Sequence, residues 1–416
     1  MQEPRFLIQE HIDYIQENFE TPVYVYSEAE LRARAQEFLD FPSMYGHTVR
    51  FAMKSNSQRN ILKLFSDMGL SIDASSSFEA MRAIAAGVPV ENIQISSQEI
   101  GKDMKELIED GVFFVATSLH QLEVFGKLFP GKKCGIRVNP GVGSGGFTQI
   151  STGGNTSSFG IWHTKIDQVQ EIVEKYGIII SKLHFHIGSE NTPESWVDSV
   201  EHGFKILRQI QTIDTFNMWW GLKMAIMDYE VSADLSAIWE ALNKKYELFY
   251  EETGRKIHLE MEPGKYLVIN SCSMLVEIQD IVDTGETWYK FLKTNSGMND
   301  MPRVAMYGIQ EPLHVINDSD ECEDYVVVGH CCESADILTS KLYDQETIEP
   351  RKLRKAKKGD MLVVDGVWAY NSSMSVKNYN SYPESAELLL RESGEIVEIR
   401  ERQKVKDIWR NEKEIV

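Results

Sequence analysis

The chain has 416 residues, 42% hydrophobic and 25% charged, with a formal net charge of −20. An acidic balance without long runs of one sign weighs against nucleic acid and anionic membranes as partners, because binding to phosphates is driven by clustered Lys and Arg. No apolar run approaches the roughly 20 residues of a membrane span. The amphipathic, acidic N-terminus is unlike a targeting segment, and five cysteines without C-x-x-C spacing suggest neither a disulfide framework nor a zinc site. The expectation is a cytoplasmic protein without a metal, acting on a small molecule.

Near residue 21, "TPVYVYS" reads as a strand, and from about residue 49 short β-branched runs alternate with runs of helical period. "VRFAMKSN" precedes "QRNILKLFSDMG", "LSIDASS" precedes "FEAMRAIAAGV", and "IQISSQ" precedes "GKDMKELIEDG". "GVFFVATS", "CGIRVNP", "SKLHFHIG", "FNMWWG" and "HLEMEPG" bring the count to eight strands. Eight βα units predict an α/β fold, a closed (β/α)8 TIM barrel over 28–285 with its chemistry at the C-terminal strand ends. A doubly wound open sheet is the alternative. Beyond residue 285, "DYVVVGH", "DMLVVDGVWAY" and "SAELLLRESGEIVEI" lack helical period. They predict a β-rich C-terminal domain over 286–416, completed by a strand from 1–27.

The strand ends place Lys54, Asp73, Arg137, His186, Trp219 with Trp220, and Glu262 at one barrel mouth. Singly, Lys54 reads as a solvated loop lysine, His186 as a satisfied core histidine and Glu262 as an ion-pair partner. Together they are hard to call structural, since burying charge without a paired purpose is costly. A partly desolvated lysine can attack a carbonyl, and a carboxylate opposite can keep a pyridine nitrogen protonated so that the ring accepts electrons. Pyridoxal phosphate meets both needs.

In order along the chain stand "FAMKSN", "IDASSSFEA", "RVNPGV", "SSFGIW", "HFHIGSE", "EPGKYLV", "SGMND", "CCESADILT" and "AYNSSMSVKNYNSYPE". With these the chain resembles the fold-type III pyridoxal-phosphate decarboxylases over nearly its whole length. The resemblance implies that Lys54 carries the cofactor covalently, that His186 stacks on its ring and that Glu262 pairs with the ring nitrogen, with Asp73 beside them. Ser189, Gly221, the turn containing Gly264, and Tyr370 are implied to hold the phosphate. Arg303, Tyr307, Lys265 and Tyr370 are the implied contacts for substrate carboxylates, and Glu333 the grip on a distal amino group. Cys332 is implied to protonate the α-carbon across a homodimer interface, with Cys331 structural. "CES" points to a diamino diacid, meso-diaminopimelate, with L-lysine as product. Another basic amino acid, or a non-catalytic role, is the alternative.

Two departures stand out. Trp219 and Trp220 replace two of three glycines usual after the seventh barrel strand, and "GVWAY" puts Trp368 at a usually small position. An indole of about 200 Å² cannot enter a space sized for a hydrogen. Either these rings turn into the barrel wall, or they narrow the pocket, or they block the phosphate.

Overall fold

A computed structural model describes residues 3–141, 154–186, 193–219, 221–287, 289–367 and 369–415. The chain divides into two compact units: 32–224 with 231–267, and 1–31 with 225–230 and 268–416.

After strand β1 (Val23–Ser27), the first of these units is built on β2 (His47–Ala52), β3 (Ser71–Ala74), β4 (Ile93–Ile95), β5 (Phe113–Ala116) and β6 (Lys133–Asn139). It continues with the short β7 (Ile161–Trp162), β8 (Ile179–His186), β9 (Thr215–Trp219) and β10 (His258–Met261). All pair in parallel, in the order β5-β4-β3-β2-β10-β9-β8-β6-β7, and a further β5–β6 pairing closes the ring of eight, with β7 appended to β6. The expected (β/α)8 barrel is present, and its eight strands are the eight apolar runs of the sequence. Amphipathic helices such as Arg59–Asp67 and Leu235–Thr253 cover the outside. Phe51 meets Phe65, Phe185 meets Phe216, and Phe216 meets Phe204, all across strand–strand or strand–helix contacts.

The other strand face is polar. Arg50, Asp73, Gln94, Lys182, His184, Asn217 and Glu260 lie on strands, Glu262 follows β10, and all are buried. Barrels of this kind fill their interiors with branched apolar residues; this one carries ion pairs and amides there instead. The strands are short, so the register sets which of these groups meet: Arg137 is level with His184, His184 with Asn217, and Asn217 with Glu260.

The second unit begins with β1 and continues through β11 (Cys272–Asp283), β12 (Lys290–Thr294), β13 (Leu313–Ile316) and β14 (Cys322–Val328). Then follow β15 (Ser340–Lys341), β16 (Asp344–Ile348), β17 (Arg351–Arg354), β18 (Met361–Asp365), β19 (Ala386–Leu390) and β20 (Ile396–Arg400). The main sheet runs β17-β14-β12-β11-β1-β19-β20, with β18 on β11 and β13 on β18. Its core includes Val23, Val25, Leu275, Val363 and Leu388. The strand expected from residues near 21 is β1. The division falls at residue 268 rather than 285, because β11 pairs antiparallel with β1 and β18. The short excursion 225–230 joins the same unit through Arg5, whose guanidinium donates to the Ile226 carbonyl at 2.8 Å.

Candidate active site

Lys54 sits in the 3-10 turn Met53–Ser55 that follows β2, exposed between two buried neighbours. The partial desolvation expected of it is not found. What fixes the turn is a close approach: the Pro263 carbonyl accepts from Ala52 N–H at 3.1 Å, and a Cβ on Gly264 would lie 3.2 Å from Ala52 Cβ and 3.3 Å from Ser55. Glycine suits that tight approach, where any side chain would push Ala52 or Ser55 back, and it lets the end of β10, with Glu262, come against the turn that carries Lys54. Lys265 is half-buried at the start of the helix Lys265–Val268.

Asp73 lies near the end of β3, just before a helix capped at both ends of an S-x-x-E box. Ser76 Oγ accepts from Glu79 N–H at 3.1 Å, and Glu79 Oε2 accepts from Ser75 N–H at 2.7 Å. Asp73 Oδ1 accepts from Gln94 Nε2 at 3.0 Å and from Ser96 Oγ at 3.1 Å. The same Gln94 Nε2 donates to Glu262 Oε1 at 2.7 Å, and Asn217 Nδ2 donates to that oxygen at 2.5 Å. Glu262 Oε2 faces His184 Nε2 at 3.1 Å, off the line of a good hydrogen bond.

The two carboxylates divide the protonation between them. Burial and the Glu262 charge push Asp73 up, while Glu262, although burial opposes it, is held below the usual carboxylate range by His184, Asn217 and Arg137. Burial also lowers His184, so near neutral pH the imidazole is uncharged. The donors Gln94 and Asn217 and the field of Arg137 then keep Glu262 ionised. His186, at the end of β8, is pushed well down by burial and by the neighbouring Lys54 charge. It is a neutral, flat ring.

Beneath this pair, Glu260 accepts two hydrogen bonds from Arg50, at 3.0 and 2.9 Å, and Lys182 Nζ lies 2.6 Å from its Oε2. Burial would raise Glu260, but Arg50 and Lys182 bring it down to about 2, against an ordinary value of 4.5. A depressed carboxylate contributes stability that is complete above its unfolded-state value and is lost as pH falls toward its folded one. Chemical denaturation of the apoprotein at stepped pH is expected to show a loss of about 3 kcal/mol between pH 4.5 and 2. In Glu260→Gln that part of the pH dependence should be missing from an already weakened protein. An unchanged acid limb in the variant would contradict the assignment.

Trp219 ends β9 and is 5% exposed. Its ring makes an edge contact with Trp196 at 6.2 Å and a tilted one with Phe38 at 6.1 Å, and Phe38 in turn meets Tyr266. It packs into the aromatic wall of the barrel. Gly221 is half-buried two residues on. Ser189, Trp220 and Trp368 lie outside the described residues.

In the second unit, the short helix Pro302–Tyr307 carries buried Arg303 and half-buried Tyr307. Burial lowers the Arg303 guanidinium, opposed chiefly by the Glu311 charge. Arg303 Nη1 has no hydrogen-bond partner among the described residues. Tyr370 is half-buried with a φ of +63°, a left-handed conformation rare for an aromatic residue. Cys331 is buried, its thiol pushed up to about 12 by burial, whereas Cys332 and Glu333 are exposed. Asn380 Oδ1 accepts from Cys332 N–H at 2.7 Å, and Tyr379 reaches Glu333 Oε2 at 3.5 Å. Asn378, Asn380 and Ser381 are all left-handed, so the "YNS" run is a strained clasp on the Cys332 loop. Sequence reasoning noted that run as a motif but assigned it no contact. It missed Gln94, Lys182, His184, Asn217 and Glu260 entirely.

The residues present fit pyridoxal phosphate. The barrel offers a buried carboxylate held ionised, a neutral flat imidazole and a lysine on an adjoining turn. Asn217 Oδ1 and both His184 ring nitrogens are buried without an aligned partner among the described residues, which leaves polar capacity for a ligand. No group of acidic, histidine or cysteine side chains among the described residues could hold a metal ion, and no described helix is long and apolar enough to cross a membrane.

Known proteins point the same way. Residues 28–269 match the pyridoxal-binding domain of the pyridoxal-dependent decarboxylases. The diaminopimelate decarboxylase of Buchnera aphidicola subsp. Acyrthosiphon pisum is 34% identical over 382 residues, covering 88% of each chain. That of Escherichia coli K12 is 28% identical, covering 97% of this chain and 96% of its own. A solved diaminopimelate decarboxylase superposes with a TM-score of 0.90 at 28% identity, over 99% of both chains. The Helicobacter pylori enzyme, solved in complex with L-lysine, shares the fold, with a TM-score of 0.86 at 23% identity over 96% and 99% of the two chains.

Proposed function

Since the chain belongs to the pyridoxal-dependent decarboxylases, we propose that it removes CO2 from meso-2,6-diaminopimelate to give L-lysine. The observation that carries this reading is likeness to diaminopimelate decarboxylases over 88% or more of the chain. When bound, pyridoxal phosphate supplies a ring that takes up the electron pair left at the α-carbon as CO2 departs.

The chain's own groups do the rest. Lys54 would hold the cofactor covalently through its carbonyl carbon. Glu262, kept anionic by Gln94 and Asn217, favours a proton on the ring nitrogen. His186, kept neutral by burial, supplies an uncharged face for stacking. Ser189, Gly221, Gly264 and Tyr370 are read as the phosphate contacts, with Asp73 bearing the proton that Glu262 lacks. Arg303, with Tyr307 and Lys265, pairs with a substrate carboxylate, and Glu333 with the distal ammonium. Cys332 delivers the proton that replaces CO2. The reading carries with it a cytoplasmic homodimer in which Cys332 and Glu333 serve the neighbouring subunit's barrel; sedimentation equilibrium decides the mass, and a monomer that is active would remove that part.

The test is CO2 release from meso-diaminopimelate, with L-lysine and L-ornithine as control substrates. Glu333→Ala should lower kcat/KM for meso-diaminopimelate by about tenfold to a hundredfold, the scale of one charge-assisted hydrogen bond. No CO2 from meso-diaminopimelate, with turnover of a control substrate instead, would overturn the substrate.

A further inference from the structure

The polar interior of the barrel contains a group that the decarboxylation reading leaves without a role. Lys182, buried on β8, donates from Nζ to Gln94 Oε1 at 2.7 Å while also lying 2.6 Å from Glu260. An ammonium can only donate. The Gln94 atom that faces it must therefore be the carbonyl oxygen, and the orientation of the amide is settled by chemistry. Its NH2 group is thereby forced the other way, onto Asp73 Oδ1 at 3.0 Å and Glu262 Oε1 at 2.7 Å.

One amide nitrogen thus spans two carboxylates. Asn217 Nδ2 repeats the arrangement, spanning Glu262 Oε1 at 2.5 Å and Glu260 Oε2 at 3.3 Å. Both donors converge on a single oxygen of Glu262. Its Oε1 is saturated and its rotation is blocked, so Oε2, which faces His184 Nε2 at 3.1 Å off the line of a good hydrogen bond, is the oxygen with capacity for a further partner.

We propose that Gln94, oriented by Lys182, is a positioning residue for the cofactor: it fixes the Glu262 carboxylate so that Oε2 is presented to the ring nitrogen. The chain of contact runs from Glu260 to Lys182, to Gln94, to Glu262. A purely structural amide would stabilise the barrel without caring what element occupies the ring position opposite Glu262. A positioning amide must care. The inference rests on the reading that Glu262 meets the ring nitrogen, and the experiment separates the two.

Apoprotein is titrated, by absorbance and fluorescence, with pyridoxal phosphate and with the analogue carrying carbon in place of the ring nitrogen. Wild type should bind pyridoxal phosphate more tightly than the analogue. In Gln94→Met that preference should shrink about tenfold, the scale of one hydrogen bond to a charged group, while affinity for the analogue stays within about twofold. Lys182→Met should do the same by freeing the amide to turn, and the double variant should lose no more than either single one, because both act through one contact. A wild type that binds both compounds equally would overturn the pairing of Glu262 with the ring. A wild type with the preference, and Gln94 or Lys182 variants that keep it, would overturn the role of Gln94 alone.

Discussion

Lys54→Ala is expected to lose both the covalent attachment of pyridoxal phosphate and the decarboxylase activity, the latter by on the order of 10⁴-fold or more, as when a covalent catalyst is removed. Borohydride reduction followed by peptide mapping should place the adduct on Lys54 in wild type and nowhere in the variant. The barrel holds one rival: Lys182, which burial and the Arg50 charge push down to about 8. A lysine so shifted is more nucleophilic at neutral pH than an ordinary one. Geometry decides against it, since Lys182 is 4% exposed and its ammonium is committed to Glu260 and Gln94. Lys54 is exposed at a strand end, where a cofactor can reach it. An adduct mapped to Lys182 would reverse that choice.

Trp219→Ala is expected to destabilise the protein by about 3–5 kcal/mol, the range for removing a large aromatic side chain from a packed site. Trp219 is a wall residue, sharing contacts with Trp196 and Phe38, and the small residue leaves a void between them. Denaturant unfolding of the apoprotein reads the loss. Affinity for pyridoxal phosphate in the folded variant should not improve. Tighter cofactor binding after the substitution would mean that the indole intrudes on the phosphate and that the wall assignment is wrong.

The barrel was legible because its outward faces obey a simple rule: apolar strand residues such as Phe51, Phe185 and Phe216 pack outward, and helices of matching period follow each strand. The last residue of a strand is also legible, which is why Lys54, Asp73, His186 and Glu262 were found. Gln94, Lys182 and Asn217 were not, because each is unremarkable within its own run. They become a network only when ring closure and register bring three separate strands level, and neither is written locally. Trp219 was found, but its rotamer depends on partners at residues 38 and 196. The boundary at 268 was missed because β11 is long and apolar, and only its pairing with β1 and β18 reveals which sheet it serves.

The pairing of β1 carries a consequence for how the protein is made. Val23 is matched to Leu275 on one side and to Ala386 on the other. These partners lie roughly 250 and 360 residues further along the chain, with every barrel strand coming in between. Pairings of such high contact order form slowly, and an apolar strand with open edges in the meantime is a template for joining other chains. The sheet of the second unit therefore closes only after the whole barrel segment has been made, whereas residues 32–267 hold every barrel strand in one continuous stretch of sequence.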